Sequence, residues 1–260
     1  MKLNEFFEPY ELLKSEITAG IGSNFKFWNK KNIPPNSILL CGISSLSGKT
    51  SHLKNLREVF YQLAALESER PLLDLGNIVS LSKDDRLDAF KLLNDEVKAK
   101  KATLILLSSE EDSFDLILNS ANRKNDSAVV LSSYYKNLYL DMINNQLVGG
   151  VDILGIQSHF SINEKAKTNS RIELISLGKV RDDLMDIEPY FRMANISSFN
   201  LSSIRKSDFG FSYKSSPNGF YAEEICQMAW FAGNSDSIHT FHIADIHEDF
   251  EPHSQEIMMA

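Results

Sequence analysis

The sequence predicts an α/β fold, a mostly parallel sheet with helices on both faces, and three observations carry that prediction. Short continuous apolar runs bounded by turn formers, such as Ser37-Ile-Leu-Leu-Cys41, Thr103-Leu-Ile-Leu-Leu107 and Ala128-Val-Val-Leu131, suit strands covered on both sides. Helical stretches separate the strands, and the alternation recurs at least five times. At 260 residues and 43% hydrophobic composition the chain can bury a sizeable core, expected as a single domain over 1–260.

The net charge of −8 is spread along the chain without a basic stripe to neutralise phosphates, which argues against nucleic-acid binding. The opening MKLNEFFEPYELLKSE lacks the basic-then-apolar layout of a signal peptide, and no apolar run approaches membrane-spanning length. A cytoplasmic protein without membrane association is expected. Cys41 falls in a predicted strand and Cys226 in a predicted helix, both expected as buried thiols.

Residues 1–36 read as an irregular opening segment stopped by Pro34-Pro35. After the strand at 37–41 comes Gly42-Ile-Ser-Ser-Leu-Ser-Gly48-Lys49-Thr50, then a helix with Leu53, Leu56, Phe60 and Leu63 on one side. Strand, glycine turn and Lys-Thr at a helix start are the parts of a phosphate-binding loop. The spacing departs from it: five residues separate Gly42 from Gly48 where the motif has four, and Ile43 holds the first glycine's position. Leu72-Leu73-Asp74 is a weak candidate for the magnesium-binding aspartate. Nucleotide binding through Gly48, Lys49 and Thr50 therefore stands as an alternative to an ordinary strand-to-helix turn.

The next helix spans Lys83 to Lys100 with Leu87, Phe90, Leu93 and Val97 inward, and Lys98, Lys100 and Lys101 suit the negative end of its dipole. Ser108-Ser109-Glu110-Glu111-Asp112 follows the strand at 103–107, and Phe114 to Asn119 starts another helix. Ser132-Ser133-Tyr134-Tyr135-Lys136 follows the strand at 128–131. Val151-Asp-Ile-Leu-Gly-Ile156 comes next, then a strand from Arg171 to Lys179 and a helix from Arg181 to Arg192 broken at Pro189.

A β-prone run, Ile196 to Leu201, feeds a polar loop from Ser202 to Asn218 and a helix from Phe220 to Ala232, ended by Gly233 in the left-handed region. Strand, long loop and helix in that order build ligand sites, because the crevice lies beyond the strand's carboxyl end. In the tail, His239, His242, His247 and His253 crowd near Asp245, Glu248, Asp249 and Glu251. A strand from Phe241 to Ile246 would put His242 and Asp245 on opposite faces, which favours a mostly solvated loop over a metal site.

Ser198-Phe-Asn-Leu-Ser-Ser-Ile-Arg205, Ser216-Pro-Asn-Gly-Phe220, Glu223-Glu224, Ala232-Gly233 and Asp74-Leu-Gly-Asn-Ile78 resemble the ureohydrolase superfamily of arginase, agmatinase and formiminoglutamase. A bacterial formiminoglutamase-like branch is nearest, and the resemblance runs from about Leu72 to Gln255. It implies an arginase-like three-layer α/β/α fold, here with shortened loops and a shortened C-terminus. It also implies a dimanganese centre that ionises a bridging water. The resemblance puts its ligand positions at Glu111, Ser132, Tyr134, Lys136, Asn200 and Ser202, of which only Glu111 is a competent ligand. Where the superfamily carries Asp-x-Asp, this chain has Asn200 and Ser202.

The expectation is an inactive ureohydrolase-like protein with no metal or other cofactor, acting by binding a protein partner or a small ligand. Glu224 falls where active members hold the substrate's guanidinium or amidine group. With Asn218 and Asp245 it forms a remnant pocket for a small cationic ligand, or else it is a helix-start glutamate. Glu256-Ile-Met-Met-Ala260 would begin the superfamily's closing helix, and bare sheet surface there would favour a partner or a homo-oligomer. The enzyme alternative is an active C–N hydrolase using Glu111, Asp112, Asp245 and the tail histidines.

Overall fold

A computed structural model describes residues 3–9, 20–44, 51–64, 69–79, 82–109, 113–120, 123–157, 167–209 and 215–246. The backbone divides into two compact units, Met1–Ser113 with Ile246–Ala260, and Phe114–Asp245. The Gly48-Lys49-Thr50 motif, Glu111, Asp112, His247, Glu248, Asp249, Glu251 and His253 lie outside the described residues.

The first unit holds β1 (Phe7–Glu8), β2 (Phe25–Phe27), β3 (Ile38–Ile43), β4 (Leu72–Ile78) and β5 (Thr103–Ser108), with helices α1 (Ser51–Phe60) and α2 (Lys83–Lys100). β3 runs parallel between β4 and β5, with Leu39 opposite Leu73 on one side and Leu104 on the other. The opening segment is not irregular as expected. β1 pairs antiparallel with the end of β4, Phe7 opposite Ile78, and β2 pairs parallel with its start, Phe25 opposite Leu72. Strands of two and three residues are too short to display a period of two, so the sequence does not announce them.

α2 begins where Ser82 Oγ accepts the Asp85 N–H at 3.4 Å and ends where Lys101 turns left-handed and returns its N–H to Val97 O. Phe90, Leu93 and Val97 are buried as expected. On α1, Leu53 and Leu56 are buried, but Leu63 lies past the helix end and is exposed.

The Asp74-Leu-Gly-Asn-Ile78 segment is explained by one buried guanidinium. Arg57 Nε donates to Asp74 Oδ2 at 2.9 Å, Nη1 to Asn77 Oδ1 at 2.7 Å and Nη2 to Gly76 O at 2.9 Å. The Tyr61 hydroxyl and the Gly76 N–H also donate to the Asp74 carboxylate. Gly76, at φ 83°, bulges the strand where the register with β3 shifts, and so aims its N–H at Asp74. A fully buried ion pair is tolerable only when saturated in this way. Asp74 is therefore the counter-ion of Arg57, not a candidate magnesium ligand.

The second unit holds β6 (Arg123–Leu131), β7 (Val148–Ile156), β8 (Ile172–Ser176), β9 (Ile196–Asn200) and β10 (Thr240–Ala244), all parallel in the order β10-β9-β6-β7-β8. Its helices are α3 (Ser113–Ser120), α4 (Asn137–Asn144), α5 (Leu177–Asp182), α6 (Glu188–Met193) and α7 (Ala222–Gly233). Four expectations are corrected here. The strand expected to Lys179 stops at Ser176, whose Oγ caps α5 by accepting the Lys179 N–H at 3.2 Å. The helix expected over Arg181–Arg192 is α5, a 3-10 turn at Leu184–Ile187, and α6, with Pro189 in the first turn of α6, where its missing N–H costs nothing. Gly233 is the last helical residue and Asn234 follows at φ −88°, its side-chain amide donating to Trp230 O at 2.8 Å, so no left-handed turn ends the helix. Cys226, expected buried, is exposed.

One face of this sheet carries Val129, Leu131, Leu154 and Phe199 into a core with Val180, Phe191, Met228 and Phe231 from α5, α6 and α7. The alternate residues Ser198 and His242 point the other way, where Phe114 of α3 stacks on His242 and meets Tyr139 of α4. Helices thus cover both faces, which a parallel sheet requires. Among the described residues no helix is long and apolar enough to cross a membrane.

Candidate functional site

The strand order of the second unit fixes where a crevice opens. β6, β7 and β8 step outward in one direction, and the chain then returns to lay β9 and β10 on the other side of β6. Ligands of such sheets bind beyond the carboxyl ends of the strands at that reversal, here between β6 and β9. Leu131 lies opposite Phe199 and Ala244 opposite Asn200, so Ser132, Asn200 and Asp245 succeed one another across neighbouring strand ends.

Ser132 is buried; its N–H donates to Leu154 O at 3.0 Å and its Oγ to Tyr134 O at 2.9 Å. Tyr134 is half-buried, with the Lys136 ammonium 5.9 Å from its ring centre, and Lys136 also occupies the N-cap of α4. Asn200 ends β9 in a buried position, and its carbonyl accepts the Ser203 Oγ–H at 2.6 Å. Ser202 Oγ donates to Asp245 Oδ2 at 2.5 Å, both residues buried, a short charge-assisted bond. Asp245 sits at φ 64°, a conformation that costs a non-glycine residue energy and persists where surrounding contacts over-determine it.

β10 stops at Ala244, one residue short of Asp245, so strand alternation does not place Asp245 opposite His242 as expected. His242 is buried, its Nδ1 is 2.9 Å from Ser198 Oγ, and burial pushes its pKa down to about 3. It is neutral at physiological pH. The sequence did not reveal this pair, although the β9–β10 register, His242 opposite Ser198, makes it inevitable once the strands are aligned. His239 lies before β10, its Nε2 3.4 Å from Asp126 Oδ2. At ~3.3 Å per residue, a five-residue strand separates it from Asp245 by roughly 17 Å. The described histidines do not form one cluster.

Glu224 lies in the first turn of α7 and already holds a guanidinium. Arg181 Nε is 3.0 Å from Glu224 Oε1, Arg181 Nη2 donates to Gly219 O at 2.5 Å, and the Tyr221 N–H donates to Glu224 Oε2 at 2.7 Å. The guanidinium groups of Arg181 and Arg205 each lie 4.2 Å from the Tyr221 ring centre, and Arg205 Nε donates to Asp208 Oδ1 at 2.5 Å. Asn218 is engaged with Gln157, whose amide donates to its carbonyl. No local sequence pattern links Arg181 to Glu224, which lie 43 residues apart.

Among the ligand positions that the resemblance assigns, the described ones do not fit two manganese ions, and Glu111 lies outside the described residues. The described positions offer two hydroxyls committed to Tyr134 O and Asp245, a phenol, an amide and an ammonium that opposes a dication. Among the described residues no three His, Cys, Asp or Glu side chains converge.

No protein-family model and no curated protein sequence matches the chain. Solved structures do. Formimidoylglutamase from Bacillus subtilis superposes with a TM-score of 0.76 at 13% identity, covering 95% of this chain and 90% of that one. Trypanosoma cruzi formiminoglutamase, solved with two Mn2+, gives 0.72 at 14% identity, covering 86% and 91%. The agmatine ureohydrolase of Thermoplasma volcanium gives 0.68 at 13%, covering 96% and 91%. The chain has the arginase-type ureohydrolase fold, with formiminoglutamases among its structural neighbours.

Proposed function

We propose that this chain is a ureohydrolase-fold protein without the two-cation hydrolytic centre, working by binding a protein partner or a small ligand in the cytoplasm. The observation that supports this most is the crevice chemistry: Ser132 and Ser202, which the resemblance assigns to ligand positions, donate their hydroxyl protons internally, and Lys136 adds a cation. The structural neighbours are named as hydrolases of formiminoglutamate and agmatine, and one was solved with two Mn2+. Their fold is compatible with C–N hydrolysis, but the described side chains here supply no route to a metal-activated water. Elemental analysis of the purified full chain, with assays on formiminoglutamate, arginine and agmatine, tests the proposal. Sub-stoichiometric manganese and no turnover are expected, and two manganese ions per chain or hydrolysis of any of the three would overturn it.

A C–N hydrolase is the second reading, and Asp245 favours it, being a carboxylate kept at the crevice in a strained conformation. Loss of a measured hydrolytic activity in Asp245→Asn would support that reading over the first. Copurification from the native host followed by mass spectrometry identifies the partner, including a second copy of the chain.

A further inference from the structure

In the first unit a cleft of about 390 Å³ runs along α2, far enough from the strand-end crevice in sequence that no residue is shared. Lys30, Lys31 and Lys100 line it together with Asp95 and Glu96. None of these five charges has an ion-pair partner among the described residues, although Glu96 and Lys100 stand four apart on α2, the spacing of a helical ion pair. Trp28, Ile33 and Leu92 supply apolar lining. Trp28 is only 7% exposed, and its indole N–H has no hydrogen-bond partner among the described residues. A buried donor left unmade is penalised until an acceptor reaches it.

We propose that this cleft binds a small zwitterion with an apolar body, of the α-amino-acid class. Unpaired charges of both signs on one rim answer a ligand that carries both: lysines for its carboxylate, Asp95 and Glu96 for its ammonium. A simple anion would leave the two carboxylates unanswered, and a metal cation would meet three lysines. The volume lies at the small end of the range for ligand cavities, which suits an amino acid and excludes a dinucleotide. The apolar lining selects a leucine-like or phenylalanine-like side chain. The proposal concerns residues apart from the metal-ligand positions and stands whether or not the hydrolytic centre is absent.

The chain has two tryptophans, and Trp230 on α7 is 61% exposed, so Trp230→Phe leaves Trp28 as the sole indole reporter. Titrating that full-length variant with L-phenylalanine and L-leucine should give a saturable change in indole emission, matched by calorimetry on the unsubstituted chain. 3-Phenylpropionate and phenethylamine, each missing one charge, should bind at least about tenfold more weakly, as should L-phenylalanine to Lys100→Ala or Asp95→Asn. No saturable response to either amino acid overturns the site. Equal binding of 3-phenylpropionate overturns the zwitterion assignment. Unchanged affinity in both charge variants, with folding verified by circular dichroism, places binding elsewhere and also overturns it.

Discussion

Replacing Arg181 with alanine tests whether Glu224 is a structural partner or a ligand-binding group. The substitution removes the 3.0 Å bond to Glu224, the 2.5 Å bond to Gly219 O and the stack 4.2 Å over Tyr221, at a pair whose side chains are 27% and 14% exposed. Hydrogen bonds to charged groups contribute about 1.5–3 kcal/mol when protected and exposed ion pairs about 0–1, so this half-buried pair should sit near 2 kcal/mol. For a chain of this length that corresponds to a fall in Tm of roughly 4–8 °C. Glu224→Gln should cost less, about 1 kcal/mol, because one side-chain oxygen remains to accept the Tyr221 N–H. Urea denaturation of both single variants and the double variant measures the coupling, expected near 1 kcal/mol and refuting the pairing if below about 0.3. A second arm separates structure from ligand binding. Millimolar agmatine should raise the Tm of Arg181→Ala, where Glu224 has lost its guanidinium, and leave the unsubstituted chain unmoved. Equal stabilisation of both would mean that Arg181 does not occupy the cation site.

Three further outcomes follow from buried charge. Arg57→Met strands Asp74 without its counter-ion and should cost about 3–5 kcal/mol, whereas Arg57→Met with Asp74→Leu should recover most of that loss in urea titrations. Burial, and then Glu173 opposite it across β7 and β8, raise the Asp152 pKa to about 6. Its stabilising effect is full below the unfolded value near 3.8 and is lost as pH rises through 6, so Asp152→Asn should gain on the order of 1 kcal/mol at pH 7.5, after discounting for solvent screening, and flatten the profile between pH 4 and 7. The depressed pKa of His242 works in the opposite sense: stability is full above about 6.5 and falls toward pH 3 with a slope of one proton, which His242→Gln should abolish.

What the sequence made legible was whatever depends on neighbours along the chain. The buried runs of β3, β5 and β6 and both ends of α2 follow from local apolar patterning and caps. The arginase-like fold was legible only through the resemblance carried by segments such as Ser198–Arg205, and the structural neighbours share it at 13–14% identity. Illegible were the long-range partners: Arg57 for Asp74, Ser198 for His242, Arg181 for Glu224, each decided by strand register or helix docking. The short strands β1 and β2 escaped because pairing with β4, not their own pattern, makes them strands.

The same separation would let a fold persist while the chemistry of its strand-end crevice changes. The core of the second unit is made by interior strand residues such as Val129, Leu154 and Phe199 and by the helices above them. The positions that the resemblance assigns to metal ligands lie at or past the strand ends, where a change of polar side chain removes none of that core packing. It does change which polar groups need partners in a water-poor crevice, where an unmet hydroxyl or charge costs about 1–3 kcal/mol or more. Ser202 meets Asp245, Ser132 meets the Tyr134 carbonyl, and Glu224 meets Arg181, so each of these three side chains has an internal partner. Partners of this kind stabilise the crevice from within. They also oppose a carboxylate introduced at position 202, which would face Asp245 at hydrogen-bonding distance with no cation between them.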